Sequence, residues 1–124
     1  MRKLTVIQAL PAMQVGGVER CVVEISKALA GCGHRCIVIS AGGGMVAELI
    51  ADGSEHITLD IGKKSLTSLR HISTLKALFR ETGADIVHAH SRLPAWLCYL
   101  TLKGLPMAER PRFVTTVHGS YAIN

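Results

Sequence analysis

Apolar and polar positions alternate between two rhythms along the chain. Short apolar runs at Leu4–Ala9, Cys36–Ile39, His56–Leu59, Asp85–Ala89 and Phe113–Val117 have the length and composition of strands. Cys36-Ile-Val-Ile39 is apolar throughout, as parallel strands covered on both faces must be. The segments between them repeat at helical spacing. Val18, Cys21, Val22, Ile25, Ala28 and Leu29 share one helix face, and Glu19, Arg20, Glu24 and Lys27 take the other. Gly16-Gly17 opens this helix, and Gly31 and Gly33 stop it. Met45 to Ala51 is a short second helix, closed near Gly53. Ser65 suits the N-cap of a third, with Leu66, Leu69, Ile72, Leu75 and Leu78 as inner stripe and Gly83 at its end. Pro94 fits the first turn of a fourth helix, apolar on most sides, that runs to about Lys103. Pro106 and Pro111 mark a turn before the last strand. Strict alternation of strand and helix predicts a parallel sheet with helices on both faces. With right-handed crossovers it becomes an α/β, Rossmann-like doubly wound sheet of five strands in the order 3-2-1-4-5.

Length and composition narrow the classes. The 124 residues suit one domain, spanning 1–124, large enough to bury a core without disulfide or metal staples. With 48% apolar and 19% charged residues, disorder is excluded. Aromatics make up 4%, namely Phe79, Trp96, Tyr99, Phe113 and Tyr121, a poor set of stacking platforms for single-stranded nucleic acid. No apolar run reaches the roughly 18–20 residues of a membrane span. Met1-Arg2-Lys3 followed by Leu4 to Ala12 faintly resembles a signal peptide, but Thr5 and Gln8 interrupt it and the strand reading fits better. A cytoplasmic protein is expected. Of the four cysteines, Cys32 and Cys36 bracket His34, but one lies at a helix end and the other begins a strand. Buried free thiols in a reducing compartment are the expectation, and no metal site.

The net charge is +5, and its excess is local. Lys63, Lys64, Arg70, Lys76 and Arg80 fall in a stretch without a carboxylate. A solvated helix face is the ordinary reading of such a run. The sharper reading is an anionic partner such as a membrane surface. Nucleic acid is not expected, because no recognition motif accompanies the charge.

In a doubly wound sheet, ligands gather outside the carboxyl ends of the strands, and three groups of residues fall there. Gly16-Gly17 follows the first strand and opens a helix, where backbone N–H groups and the helix dipole favour a phosphate. A plain tight turn is the alternative. The G-x-G-x-x-G spacing is absent, which argues against a nicotinamide dehydrogenase. His88-Ala-His90-Ser91 ends the fourth strand. Alternation puts both histidines on one face, and His90 and Ser91, just beyond the strand, read as a polar pocket wall. His118-Gly119-Ser120 follows the fifth strand, where a histidine can meet a hydroxyl or developing charge.

Taken together, three segments carry a resemblance. Gly16-Gly-Val-Glu-Arg20 with Ala28-Leu-Ala-Gly-Cys-Gly-His34, then Asp85-Ile-Val-His-Ala-His-Ser91, then Val114-Thr-Thr-Val-His-Gly119, resemble the successive motifs of glycosyltransferase family 4. The resemblance covers the whole chain. It implies the first part of the N-terminal, acceptor-side domain of a GT-B enzyme, in which two Rossmann-like domains face across a cleft. It implies a retaining transfer from a nucleotide-sugar donor to a carbohydrate or lipid-linked acceptor, without a bound metal or other cofactor. Gly16 and Gly17 would lie against the donor diphosphate. His118 would sit at the reacting centre. His90, Ser91, Gly119 and Ser120 would line the acceptor side. The basic run would suit peripheral attachment to the inner membrane face. The C-terminal nucleotide-sugar domain of the family has no counterpart in these residues, so the chain reads as a fragment, inactive alone. Two other readings stand beside it: a stand-alone module binding a phosphorylated small molecule at Gly16-Gly17, and a half-domain pairing with another chain or with itself through the exposed fifth strand.

Overall fold

The computed structural model describes residues 2–13, 16–63 and 68–116. Strands β1 (Thr5–Ala9), β2 (Arg35–Ser40), β3 (Glu55–Thr58), β4 (Ile86–His90) and β5 (Arg112–Thr116) form one parallel sheet. Their order is β3-β2-β1-β4-β5, as the alternation predicts. Helices α1 (Gly17–Gly31), α2 (Val46–Ala51), α3 (Ser68–Thr82) and α4 (Arg92–Lys103) fill the connections. A 3-10 turn, Met107–Glu109, occupies the bend between Pro106 and Pro111.

Glycine ends the first two helices in the same way. After α1, the Gly33 N–H donates to the Ala30 carbonyl and the His34 N–H to that of Leu29, with Gly33 at φ 86°. After α2, Gly53 (φ 99°) and Ser54 repeat the pattern on Ile50 and Leu49. The reversal needs a left-handed residue, which a Cβ disfavours.

Strand alternation sends side chains to two cores. Ile7, Ala9, Ile37, Ile39, Val87 and Ala89 pack with Leu75 and Phe79 of α3 and Leu97, Cys98 and Leu102 of α4. Leu10, Cys36 and Val38 meet Val22 and Val23 of α1 and Leu49 of α2 on the other face. Burying each large aliphatic side chain is worth about 1.5–3 kcal/mol.

Two expected stripes shift. Leu69 is 63% exposed, and the buried apolar residues of α3 are Leu75 and Phe79, with Ile72 and Leu78 packed beside them. The helix turns its aromatic inward, against the sheet and α4. On α1 the buried residues are Val22, Val23 and Ser26, while Ala28 is exposed. Ser26 turns inward because it has a polar partner there. Ser65 and Leu66 lie outside the described residues.

Candidate functional site

Between β1 and β4 the strand order reverses. β1 feeds α1 toward β2, and β4 feeds α4 toward β5. The two helices therefore leave the carboxyl edge on opposite faces, and the point where they part is where a doubly wound sheet offers its ligand crevice. Gly16 precedes the first residue of α1, and its carbonyl accepts the Arg20 N–H at 2.9 Å. The first-turn N–H groups of an α-helix have no intrahelical partner, so this end attracts anions. A Cβ at Gly17 would meet nothing within 4 Å, which leaves the approach open. A Cβ at Gly16 would lie 3.0 Å from a Glu19 carboxylate oxygen. Glu19 thus folds back over the helix start, where the dipole favours it, and an incoming anion shares that end with it.

The neighbouring loops brace this one. Met13 N–H donates to the Gly42 carbonyl, Ala41 N–H to that of Pro11, and Met45 N–H to that of Met13. Gly62, beyond β3, packs so closely on Pro11 that a side chain there would collide with it.

Beneath the crevice runs a buried polar seam. The Gln8 side-chain amide of β1 donates to Ser26 Oγ at 2.7 Å and, more weakly, to the Val22 carbonyl at 3.4 Å. A carbonyl only accepts, so the amide nitrogen faces α1 and Gln8 Oε1 faces His90. Gln8 Oε1 lies 3.0 Å from His90 Nε2, which therefore carries the hydrogen. His90 stacks on His88 with ring centroids 4.1 Å apart, and His88 Nε2 is 2.6 Å from Thr116 Oγ1. Cys36 Sγ closes the other end, 3.4 Å from Ser26 Oγ. The seam thus links β2, α1, β1, β4 and β5. Gln8, Ser26 and His90 are fully buried, so each bond replaces lost hydration.

Ser91 joins β4 to α4 at φ 76° and ψ 162°. This conformation belongs almost exclusively to glycine and costs about 1–3 kcal/mol elsewhere. Among the described residues Ser91 is the non-glycine with positive φ. Its N–H donates to the Thr116 carbonyl and its carbonyl accepts the Ala95 N–H, both at 3.2 Å. Those bonds hold the strained residue at the crevice.

The family model for Glycosyltransferase Family 4 matches residues 15–123, which run from the glycine loop through both later strand ends. The chain belongs to glycosyltransferase family 4. A crystal structure of a glycosyltransferase from Rickettsia africae is 37% identical, with a TM-score of 0.83 over 100% of this chain and 32% of its own. This family 4 chain therefore spans about a third of that relative. The C-terminal domain of a hydrogenase from Pyrococcus furiosus matches at 21% identity and a TM-score of 0.58, covering 96% of this chain and 95% of its own. That likeness is one of fold alone. No curated protein matches the chain.

The structure places the expected site residues unevenly. Gly16, Gly17 and Ser91 flank the crevice. His90 is not beyond the strand: it is the last residue of β4 and fully buried, so it presents no surface to a cleft. The physical reason is its bond to Gln8, which draws the imidazole under the crevice floor. His118, Gly119 and Ser120 lie outside the described residues, as does Lys64. The other cations do not form one free face. Lys63 is exposed beyond β3 and Arg70 is exposed near the start of α3. Arg80 is bonded to Glu109 at 2.9 Å. The Lys76 ammonium lies near Gly104 at the end of α4, where the helix dipole favours a cation.

Buried thiols are found at Cys36 and Cys98, and burial pushes the Cys98 thiol up to about 12. Cys21 is half-buried and Cys32 is exposed, which corrects the expectation for those two. Gln8, Ser26 and Thr116 were missed as parts of the site. One signal was available: an amide inside an otherwise apolar strand needs a buried partner.

Proposed function

We propose that this chain forms the acceptor-side portion of a retaining glycosyltransferase that moves a sugar from a nucleotide-sugar to a carbohydrate or lipid-linked acceptor. The observation that carries the reading is the family match from residue 15 to 123, beginning at an open helix N-terminus on the crevice. Gly16 and Gly17 take the donor diphosphate through the α1 N–H groups. Ser91 borders the acceptor, and His90 acts from below by fixing the floor. His118 stabilises the reacting centre, with Gly119 and Ser120 beside it. No metal takes part, since helix N–H groups supply the positive end. The 124 residues alone hold ligand without turning it over.

The location is cytoplasmic. No helix among the described residues is long and apolar enough to cross a membrane. Peripheral attachment to an anionic inner membrane face rests on Lys63 and Arg70, because Arg80 and Lys76 are engaged within the fold. Equal binding to anionic and neutral vesicles at low salt would remove that part of the reading.

The main test is amide chemical-shift mapping with inorganic pyrophosphate and a panel of nucleotide-sugars. Shifts centred on Gly16, Gly17 and Ser91 are expected. Shifts confined to another surface would overturn the site, and measurable turnover by the purified chain would overturn the claim of inactivity.

A further inference from the structure

We infer that the cavity at the amino edge of the sheet, between the end of α3 and the start of β5, is a second ligand site, built for a phosphate monoester of a small molecule. The inference does not rest on the family reading above.

The place comes first. A cavity of about 480 Å³ lies where α3 passes into β4 and the 3-10 turn passes into β5. Asp85, on its wall, and Ser91, at the crevice, flank β4 at opposite ends. Six extended residues separate them, about 20 Å. A ligand held here therefore occupies neither the donor nor the acceptor position.

The charges come next. Arg80, Arg110 and Arg112 line the cavity, with Asp85 and Glu109 as its carboxylates. Residues two apart in extended chain fall on one side. Arg110 is extended at φ −78° and ψ 122°, so it shares the cavity wall with Arg112, and Pro111 between them is buried. Both carboxylates are already engaged. Asp85 accepts from Arg2 at 2.7 Å and from the Thr5 N–H at 2.8 Å. Glu109 Oε2 accepts from Arg80 Nε and Nη2 at 3.0 and 2.9 Å. Arg110 is oriented by neutral groups, the Leu105 and Lys103 carbonyls and Met107 Sδ, so its charge stays uncompensated. The chain has nine Asp and Glu residues, all among the described ones, and none of them bonds the Arg112 guanidinium.

Those charges select the ligand. With Arg2 and Arg80 matched by Asp85 and Glu109, Arg110 and Arg112 leave two positive charges facing one space. A phosphate monoester carries close to two negative charges at neutral pH, and a guanidinium fork meets its oxygens in pairs. The volume is that of a small-molecule site, which runs from about 300 to 1,000 Å³, and exceeds the need of an ion alone. Phe79, Ala84 and Pro111 add an apolar wall for the carbon skeleton.

The test is amide chemical-shift titration of the chain with glucose-6-phosphate, adenosine monophosphate, inorganic phosphate and glucose. At least one of the two monoesters should move the Ala84, Glu109 and Arg112 amides. Inorganic phosphate should bind there at least about tenfold more weakly, and glucose should leave those amides still. Arg112→Gln loses no internal partner, so its melting temperature should be unchanged while monoester binding falls at least about tenfold. Arg112→Lys keeps the charge without the fork and should fall between. The response of Gly16 and Gly17 to pyrophosphate should be the same in all three proteins, so this site and the proposed donor site fail or stand separately. Equal monoester affinity in wild type and Arg112→Gln would overturn the inference, as would shifts confined to the crevice or no shift with either monoester. Equal affinity for inorganic phosphate and the monoesters would also overturn it, because the cavity walls would then contribute nothing.

Discussion

At one edge of the sheet, β3 protects itself. It is four residues long, Glu55 forms two bonds with Arg35 at 2.7 and 3.0 Å, and His56 bonds Ser40 of the neighbouring strand at 2.7 Å. Ile57 packs on the large core. At the other edge, β5 leaves Val114 open beside an aromatic groove. Short length and charged side chains are how proteins blunt a strand edge. The contrast teaches that β3 is a short, charge-guarded edge, while β5 leaves apolar surface exposed among the described residues. The polar seam ties the two halves together beneath the crevice.

The sharpest way to break the comparison is to cut that seam. Gln8→Leu removes the bonds to His90 Nε2 and Ser26 Oγ from a fully buried position and should cost about 3 kcal/mol. Calorimetry should show melting lowered by roughly 10 °C. An unchanged melting temperature would mean that the edges are independent.

Ser91→Gly acts in the opposite direction. Relief of the strained backbone, less the added chain entropy of glycine, should stabilise the protein by about 1 kcal/mol in urea unfolding. No gain would mean that the conformation is not strained.

His56 gives the guarded edge a pH dependence. Burial holds its imidazole below the ordinary value of 6.5, so the folded state binds fewer protons than the unfolded one. That contribution is present above about pH 6.5 and is lost as pH falls through and below it. Melting temperatures of wild type and His56→Gln between pH 7.5 and 5 should diverge at the acid end, with the variant flatter.

The smallest effect is expected at Glu55→Ala. Its carboxyl is held low chiefly by the hydrogen bond from Arg35, which outweighs the opposing effect of burial, and to a lesser degree by that cation's charge. The pair is about half exposed, so its loss should cost about 0.5 kcal/mol or less. Its larger consequence should be concentration-dependent association by light scattering, since the edge has lost its charge.

Much of this protein was legible in the order of its residues. Strand runs such as Cys36-Ile-Val-Ile39 can only be covered on both faces, and Gly33 and Gly53 end helices because a reversed turn needs a residue without a Cβ. The strand order followed from those elements and the handedness of crossovers. The glycine loop and the strand-end motifs were visible for the same local reason.

What the tertiary structure decided is which side chains meet. Gln8 and His90 stand 82 positions apart, and only the pairing of β1 with β4 brings them within a hydrogen bond. That contact moved His90 from the expected cleft wall to the buried floor. Helix rotation likewise exposed Leu69 and buried Phe79, because the packing of α3 against α4 selects the face and periodicity alone does not. Local chemistry set the elements, while burial and hydrogen bonding between distant positions set the site.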